Sequence, residues 1–149
     1  MKIKVAYIYE TSFRLDDEGV YTNWLSSCAA YHKLSSLDLT YAFMGDDDLL
    51  KLNKDFLQHD TLTDILTFDD SIGKDINANI AISIDRVREN ANDFGVSFAD
   101  ELLRVMAHGL LHCVGYGDSN VADKTQMRFE EDALIHLFHV EHKKHNHVS

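Results

Sequence analysis

The alternation of apolar and polar positions along the chain predicts strands and helices in turn. Period-two stretches and short apolar runs predict strands, whereas apolar residues spaced three and four apart predict helices. The predicted strands are 2–9, 37–44, 63–68 and 79–84, with a polar loop over 69–77, and the predicted helices are 16–33, 46–57, 85–94, one that follows Ser97, and 123–142. The pattern therefore predicts an α/β (α+β) fold with a single domain over 1–149, in which helices pack on a small mixed sheet.

The helix that follows Ser97 differs from the others because it is apolar on nearly all sides. Phe98, Leu102, Met106 and Leu110 represent this distribution, which is typical of a buried helix. Ser97 is a favourable residue for the N-terminal cap. We therefore expect this helix to lie in the core.

Charge and cysteine content narrow the classes of function. The formal net charge of −11 repels phosphate backbones at long range, so a nucleic-acid substrate would need a local basic patch, a metal or a delivering partner. Arg86, Arg88 and Arg104 are candidates for such a patch, although ordinary solvated helix contacts are the stronger interpretation. With two distant cysteines, no apolar span and no signal-peptide pattern, we expect a cytoplasmic protein without a membrane partner.

Two histidines mark the second half of the apolar helix. His108 and His112 are four residues apart, so both rings lie on one helix face and can reach one metal ion. Gly115 is suited to end the helix and turn the chain, which would bring Asp118 toward the same ion. We expect His108, His112 and Asp118 to hold one metal, with water in the open position. The alternative is a pair of core histidines, each hydrogen-bonded to a neighbour.

The residue after the first histidine limits the chemistry. The spacing matches a zincin-like metal helix with an acidic third ligand, but metalloproteases have a glutamate general base where this chain has Gly109. Glu101, two turns earlier on the same face, is too distant to replace that base easily. A metallopeptidase is therefore the lowest-ranked hypothesis for the function of this chain.

The motif resembles the signature of the YbeY family of rRNA maturation factors. His108, Gly109, Leu111, His112, Gly115 and Tyr116 match it, while Cys113 and Asp118 replace a leucine and a histidine. A second block over 52–68, with Thr63 to Phe68 at its end, resembles the family's Thr-Asp-Val-Leu-Ser-Phe segment, and 78–83 resembles its next strand weakly. The order and spacing of the three blocks fit the family along most of the chain.

The resemblance implies an endoribonuclease that depends on a metal and prefers single strands. It implies a role in ribosome biogenesis at the 3′ end of 16S rRNA, with Zn²⁺ as the cofactor, one ion per chain, and other divalent ions as alternatives. Implied partners are single-stranded rRNA, the small ribosomal subunit, and ribosomal proteins or a ribosome-associated GTPase. The second hypothesis, from a different class, is a non-enzymatic ribosome-assembly factor with a structural metal.

Some positions near the motifs have open roles. Leu57 stands where the family has an arginine that could bind phosphate. His59 is the nearest substitute, although it is equally well interpreted as an ordinary histidine of a surface loop. Asp64 is a candidate to orient a ligand histidine without contacting the metal itself. Cys113 is a further ligand or, more simply, a small buried residue. The histidine-rich end predicts a frayed tail over 143–149.

Overall fold

The computed structural model describes residues 1–148, with side chains through Glu141. Its strands are β1 (Lys2–Tyr9), β2 (Ser36–Met44), β3 (Ile65–Asp69) and β4 (Asp75–Ser83). Its helices are α1 (Glu18–Tyr31), α2 (Asp46–Leu57), α3 (Ile84–Phe94), α4 (Phe98–Val114) and α5 (Val121–Val148). The predicted order of strands and helices is confirmed.

The strands form one mixed sheet in the order β1-β2-β4-β3. β1 pairs with β2 and β2 with β4 in parallel, whereas β3 pairs with β4 in the antiparallel direction. The predicted α/β fold with a small mixed sheet is therefore confirmed. The antiparallel pairing places β3 at one edge, which is the edge next to the C-terminal part of α4.

Strand β4 begins earlier than the apolar pattern predicts. The predicted polar loop over 69–77 is wrong at its C-terminal end, because the strand starts at Asp75 rather than at 79. Ile76 is buried and pairs with Leu37 of β2, while Asp75 and Asn77 point to the exposed side. One apolar residue between polar neighbours was enough for a strand here because β2 supplies the pairing edge.

The other boundaries shift by smaller amounts. α1 is shorter than the predicted 16–33, β3 lies later than 63–68, and α5 starts before 123 and continues beyond 142. The side chains of residues 142–149 lie outside the described part of the chain, and with them most of the predicted tail at 143–149. Within the described residues, no helix is both long and apolar enough to cross a membrane.

Helix α4 is buried between the sheet and the other helices, as predicted. Ser97 caps it, since the Ser97 hydroxyl oxygen accepts a hydrogen bond from the Asp100 backbone N–H at 3.1 Å. The Tyr41 hydroxyl of β2 donates to the Met106 carbonyl at 2.9 Å, which fixes the helix on the sheet. Trp24 of α1 donates to the Leu134 carbonyl of α5 at 2.7 Å. The Tyr41 contact fixes α4 on the sheet, and the Trp24 contact fixes α1 on α5.

Candidate metal centre

Helix α4 ends at a glycine in a backbone conformation that a residue without a side chain adopts most easily. Gly115 has φ +123°, and its N–H bonds to the carbonyls of Leu111 and His112 at 3.1 Å. The N–H of Tyr116 also returns to Leu111, at 3.0 Å. The chain thereby closes the helix and turns back toward it, as predicted from the sequence.

This turn brings the three predicted ligand side chains together. One nitrogen or oxygen from each of His108, His112 and Asp118 lies within 4.8 Å of the others. Asp118 Oδ2 is 3.4 Å from His108 Nε2 and 3.6 Å from His112 Nε2. The side chains are 22%, 32% and 49% exposed, respectively, so the centre is open to solvent on one side.

The hydrogen bonds of both rings leave the same nitrogen available. His112 Nδ1–H donates to the Tyr116 carbonyl at 3.0 Å. His108 Nδ1 lies 2.7 Å from Glu131 Oε2 and donates to that carboxylate. Each Nε2 therefore keeps its lone pair toward Asp118, as a metal-ligating histidine requires. Two imidazole nitrogens and one carboxylate oxygen form a donor set that fits Zn²⁺ and leaves a further position open.

Glu131 was not among the residues predicted for this site. It is only 5% exposed, and it also accepts a hydrogen bond from Arg104 at 2.9 Å. Arg104 in turn donates to Asp132 at 2.8 Å. The sequence did contain a signal for it, since Glu131 lies on the buried face of α5 between Met127 and Leu134. A buried carboxylate needs a hydrogen-bonding or charged partner.

The electrostatic surroundings of His108 act in opposite directions. Burial lowers the pKa of His108, but the hydrogen bond to Glu131 and the charges of Glu131, Asp118 and Asp64 together raise it above its ordinary value of 6.5. The same carboxylates that raise this pKa would stabilise a bound cation. Protons and metal ions therefore compete for the ring.

Two cavities adjoin the ligands. The first, here called the strand-side cavity, has a volume of about 450 Å³ and lies between β3 and α4, with all three ligands in its wall. The second, the helix-side cavity, has a volume of about 300 Å³ and lies between α3, α4 and α5. His108, Asp118 and Asp64 line both cavities.

The remaining predicted residues take different places. Asp64 accepts a hydrogen bond from Asn90 at 3.3 Å, and burial raises its pKa; it forms no hydrogen bond with either ligand histidine in the described part of the chain. His59 and Leu57 are exposed and line neither cavity. Cys113 is buried, and burial raises its pKa to about 12, as for a small core residue.

Comparisons with known proteins agree with the motifs. A family model described as Endoribonuclease YbeY matches residues 10–139. The Endoribonuclease YbeY of Flavobacterium johnsoniae is 46% identical over 137 residues, which cover 92% of this chain and 99% of that protein. The one from Cytophaga hutchinsonii is 46% identical over 129 residues, or 86% of this chain and 90% of that protein.

A solved structure is similar in fold. The solution structure of a Thermotoga maritima protein superimposes with a TM-score of 0.66 and covers 96% of this chain and 93% of its own. Its sequence identity of 22% makes this a likeness of fold alone. The sequence relatives carry the family resemblance, and they confirm it.

Proposed function

The chain belongs to the Endoribonuclease YbeY family, and from that premise we propose that it is a metal-dependent endoribonuclease that prefers single-stranded RNA. The observation that supports this most is the convergence of His108 Nε2, His112 Nε2 and Asp118 Oδ2 in the wall of an open cavity. Three protein ligands with solvent access are typical of catalytic rather than structural zinc. The relatives are themselves named endoribonucleases.

We assign the metal site to His108, His112 and Asp118, with one Zn²⁺ per chain. A bound divalent cation supplies a Lewis acid that activates water or a 2′-hydroxyl and stabilises charge on the phosphodiester. The carboxylate of Asp118 also suits harder divalent ions than a third imidazole would. Glu131 and the Tyr116 carbonyl hold the two rings in the tautomer that offers Nε2.

Asp64 is our candidate to orient the attacking oxygen. It lies in the wall of both cavities with two of the ligands, and its hydrogen bond with Asn90 uses one carboxylate oxygen. A carboxylate accepts more than one hydrogen bond, so Asp64 can also accept one from the nucleophile. His59, exposed in the loop before β3, keeps the weaker role of an additional contact to substrate.

The substrate and location follow from the family and from the charge of the chain. We propose single-stranded rRNA at the 3′ end of 16S rRNA, reached on the small ribosomal subunit with ribosomal proteins or a ribosome-associated GTPase as partners. A net charge of −11 favours delivery by such partners over unaided binding to any RNA. Two free, buried cysteines are consistent with the cytoplasm.

Cleavage of labelled single-stranded RNA by the purified, Zn²⁺-loaded protein tests the proposal. We expect cleavage by the wild type, little cleavage of the same sequence as a duplex, and loss of activity in His108→Ala and His112→Ala. His136→Ala is the matched control, since His136 is an exposed histidine on α5. Undiminished cleavage in both ligand variants would indicate a contaminating nuclease and refute the proposal.

A further inference from the structure

The helix-side cavity has a buried floor and an exposed rim. Glu101 and Glu131 in its floor are each 5% exposed, whereas Phe94 in its rim is 64% exposed. Arg128 also lines the cavity and is exposed. Because His108 and Asp118 belong to the same wall, a molecule in this cavity would lie directly beside the metal ligands.

Arg128 is the one arginine that, among the described residues, forms no hydrogen bond, ion pair or aromatic contact. Arg86 pairs with Asp46, and Arg104 with Glu131 and Asp132. Arg14 donates to backbone carbonyls, and Arg88 lies 5.4 Å from the centre of the Phe98 ring. Within the described residues, Arg128 forms no hydrogen bond and no ion pair within 4.0 Å, so its guanidinium is available to an external anion.

The positive charge of Arg128 affects a carboxylate that lines the cavity. It lowers the pKa of Glu101, against the larger effects of burial and of Asp64, which raise it. The guanidinium therefore lies close enough to the floor to influence a buried carboxylate. The other floor carboxylate, Glu131, is already occupied by Arg104 and His108, so it does not compete for Arg128.

Phe94 presents an aromatic ring to solvent at the rim of the same cavity. Exposed aromatic rings next to a cation are the usual elements of a single-strand binding surface, on which bases stack and phosphates pair. Phe129 is as exposed, at 67%, but it does not line the cavity.

We propose that the helix-side cavity is the subsite for the nucleotide next to the cleaved bond, with Arg128 binding a phosphate and Phe94 stacking on a base. This inference rests on the proposed function, and it adds the contacts by which the chain holds its substrate. The phosphate stays at the rim, because the floor is acidic and buried. A local cation of this kind also gives an acidic protein a point of attachment for RNA.

Binding of a short single-stranded oligonucleotide, measured by fluorescence anisotropy, tests the subsite. The probe is a 2′-O-methyl phosphorothioate RNA, which resists cleavage, and the protein is the full chain loaded with Zn²⁺. We expect Arg128→Gln to weaken binding by about tenfold, as for loss of a charge-assisted hydrogen bond. We also expect the slope of log affinity against log salt to become shallower by about 0.7, the value for one phosphate contact on a single strand.

The stacking contact has its own pair of variants. Phe94→Leu keeps apolar bulk but removes the ring, and we expect about tenfold weaker binding, whereas Phe94→Tyr keeps the ring and should bind as the wild type does. Phe129→Leu is the matched control for an exposed phenylalanine outside the cavity. Lys4→Gln, on β1 at the opposite edge of the sheet, is the control for loss of one positive charge.

The outcomes separate the two proposals. Weakened binding in Arg128→Gln and Phe94→Leu, with both controls unchanged, supports the subsite. Wild-type affinity and salt slope in both variants, in a protein that cleaves RNA, would overturn the subsite and leave the proposed function standing. A wild type that neither binds nor cleaves single-stranded RNA would overturn both.

Discussion

The Nδ1 atom of His108 lies 2.7 Å from Oε2 of Glu131, so a side chain on α5 sets the orientation of a ligand on α4. Glu131 is itself held by Arg104 at 2.9 Å. A carboxylate behind a ligand histidine fixes the tautomer and raises the basicity of the ring. We therefore propose Glu131 as a positioning residue for the proposed metal site, and its effect is measurable as metal affinity.

We expect substitution of Glu131 to weaken Zn²⁺ binding without removing any ligand. Glu131→Gln keeps a hydrogen-bond acceptor but removes the charge, and Glu131→Ala removes both. The expected losses are about tenfold for glutamine and about 100-fold for alanine, measured by competition with a chromophoric chelator. Glu130→Gln is the control, because Glu130 is the neighbouring residue but pairs with His32. Equal affinities in all variants would contradict a positioning role.

Among the three proposed ligands, Asp118 has the most exposed side chain, at 49%, and it comes from the turn rather than from the helix. We expect Asp118→Ala to lower Zn²⁺ affinity by at least about tenfold with little change in the melting temperature of the metal-free protein. Asp118→His should restore Zn²⁺ binding, because imidazole is an equally good zinc donor, and should weaken binding of Mn²⁺, which prefers oxygen. Unchanged affinity in the alanine variant would remove Asp118 from the site.

Removal of the metal distinguishes an enzyme from an assembly factor with a structural ion. Glu131 and the Tyr116 carbonyl hold the two rings through hydrogen bonds that do not involve the proposed metal, so we expect the chelated protein to keep its far-ultraviolet circular dichroism. Its free energy of unfolding should fall by about 2.7 kcal/mol relative to protein with zinc at 100 times its Kd. Unfolding on chelation would instead favour the structural role.

The features predicted correctly from sequence were those that depend on neighbours along the chain. The spacing of His108 and His112 places them on one face of any helix, and Gly115 indicated the turn that returns Asp118. Glu131 could not be placed in this way, since its contact joins residues that are 23 positions apart. The early start of β4 at Asp75 likewise depends on pairing with β2, which no local pattern contains.

The proposed substrate-binding cation also depends on contacts between residues that are distant in sequence. The resemblance to the family predicts this cation at the position of Leu57, and His59 is the nearest substitute along the chain. In the folded protein the proposed cation is Arg128, which lies on another helix and lines the helix-side cavity. Only the packing of α3, α4 and α5 brings it beside His108.

The buried carboxyl of Glu101 is expected to make the protein more stable at low pH than at neutral pH. Burial and the charge of Asp64 raise its pKa above the ordinary 4.5, so its contribution to stability is fully present below that pH. The contribution is lost as the pH rises through the raised value, since the group must then ionise inside the protein. Glu101→Gln cannot ionise, so we expect it to melt at a higher temperature than the wild type at neutral pH.

This difference should shrink as the pH falls toward 4.5, where the wild-type carboxyl also becomes neutral. Thermal melts of the metal-free proteins across this range measure it. Glu89→Gln, an exposed glutamate on α3, controls for the reduced net charge. A stabilisation of Glu101→Gln that does not vary with pH would contradict the assignment to ionisation.

Gly109 follows the first ligand because the sheet leaves no room for a side chain. A Cβ atom there would lie 2.9 Å from Ile65 Cδ1 and 3.1 Å from two carbons of Ile80, and Ile80 is fully buried. Alanine favours a helix over glycine by about 1 kcal/mol, but overpacking costs about 1–3 kcal/mol. We therefore expect Gly109→Ala to lower the free energy of unfolding, measured in urea.

The same contact makes the effect reversible by a second substitution. Ile65→Val removes the Cδ1 atom that lies nearest, so the double variant Gly109→Ala with Ile65→Val should lose less stability than the sum of the two single variants. Strict additivity would show that the sheet does not limit this position. If the coupling is found, a glutamate at 109 is excluded by packing as well as absent from the sequence, which separates this metal helix from that of the metalloproteases.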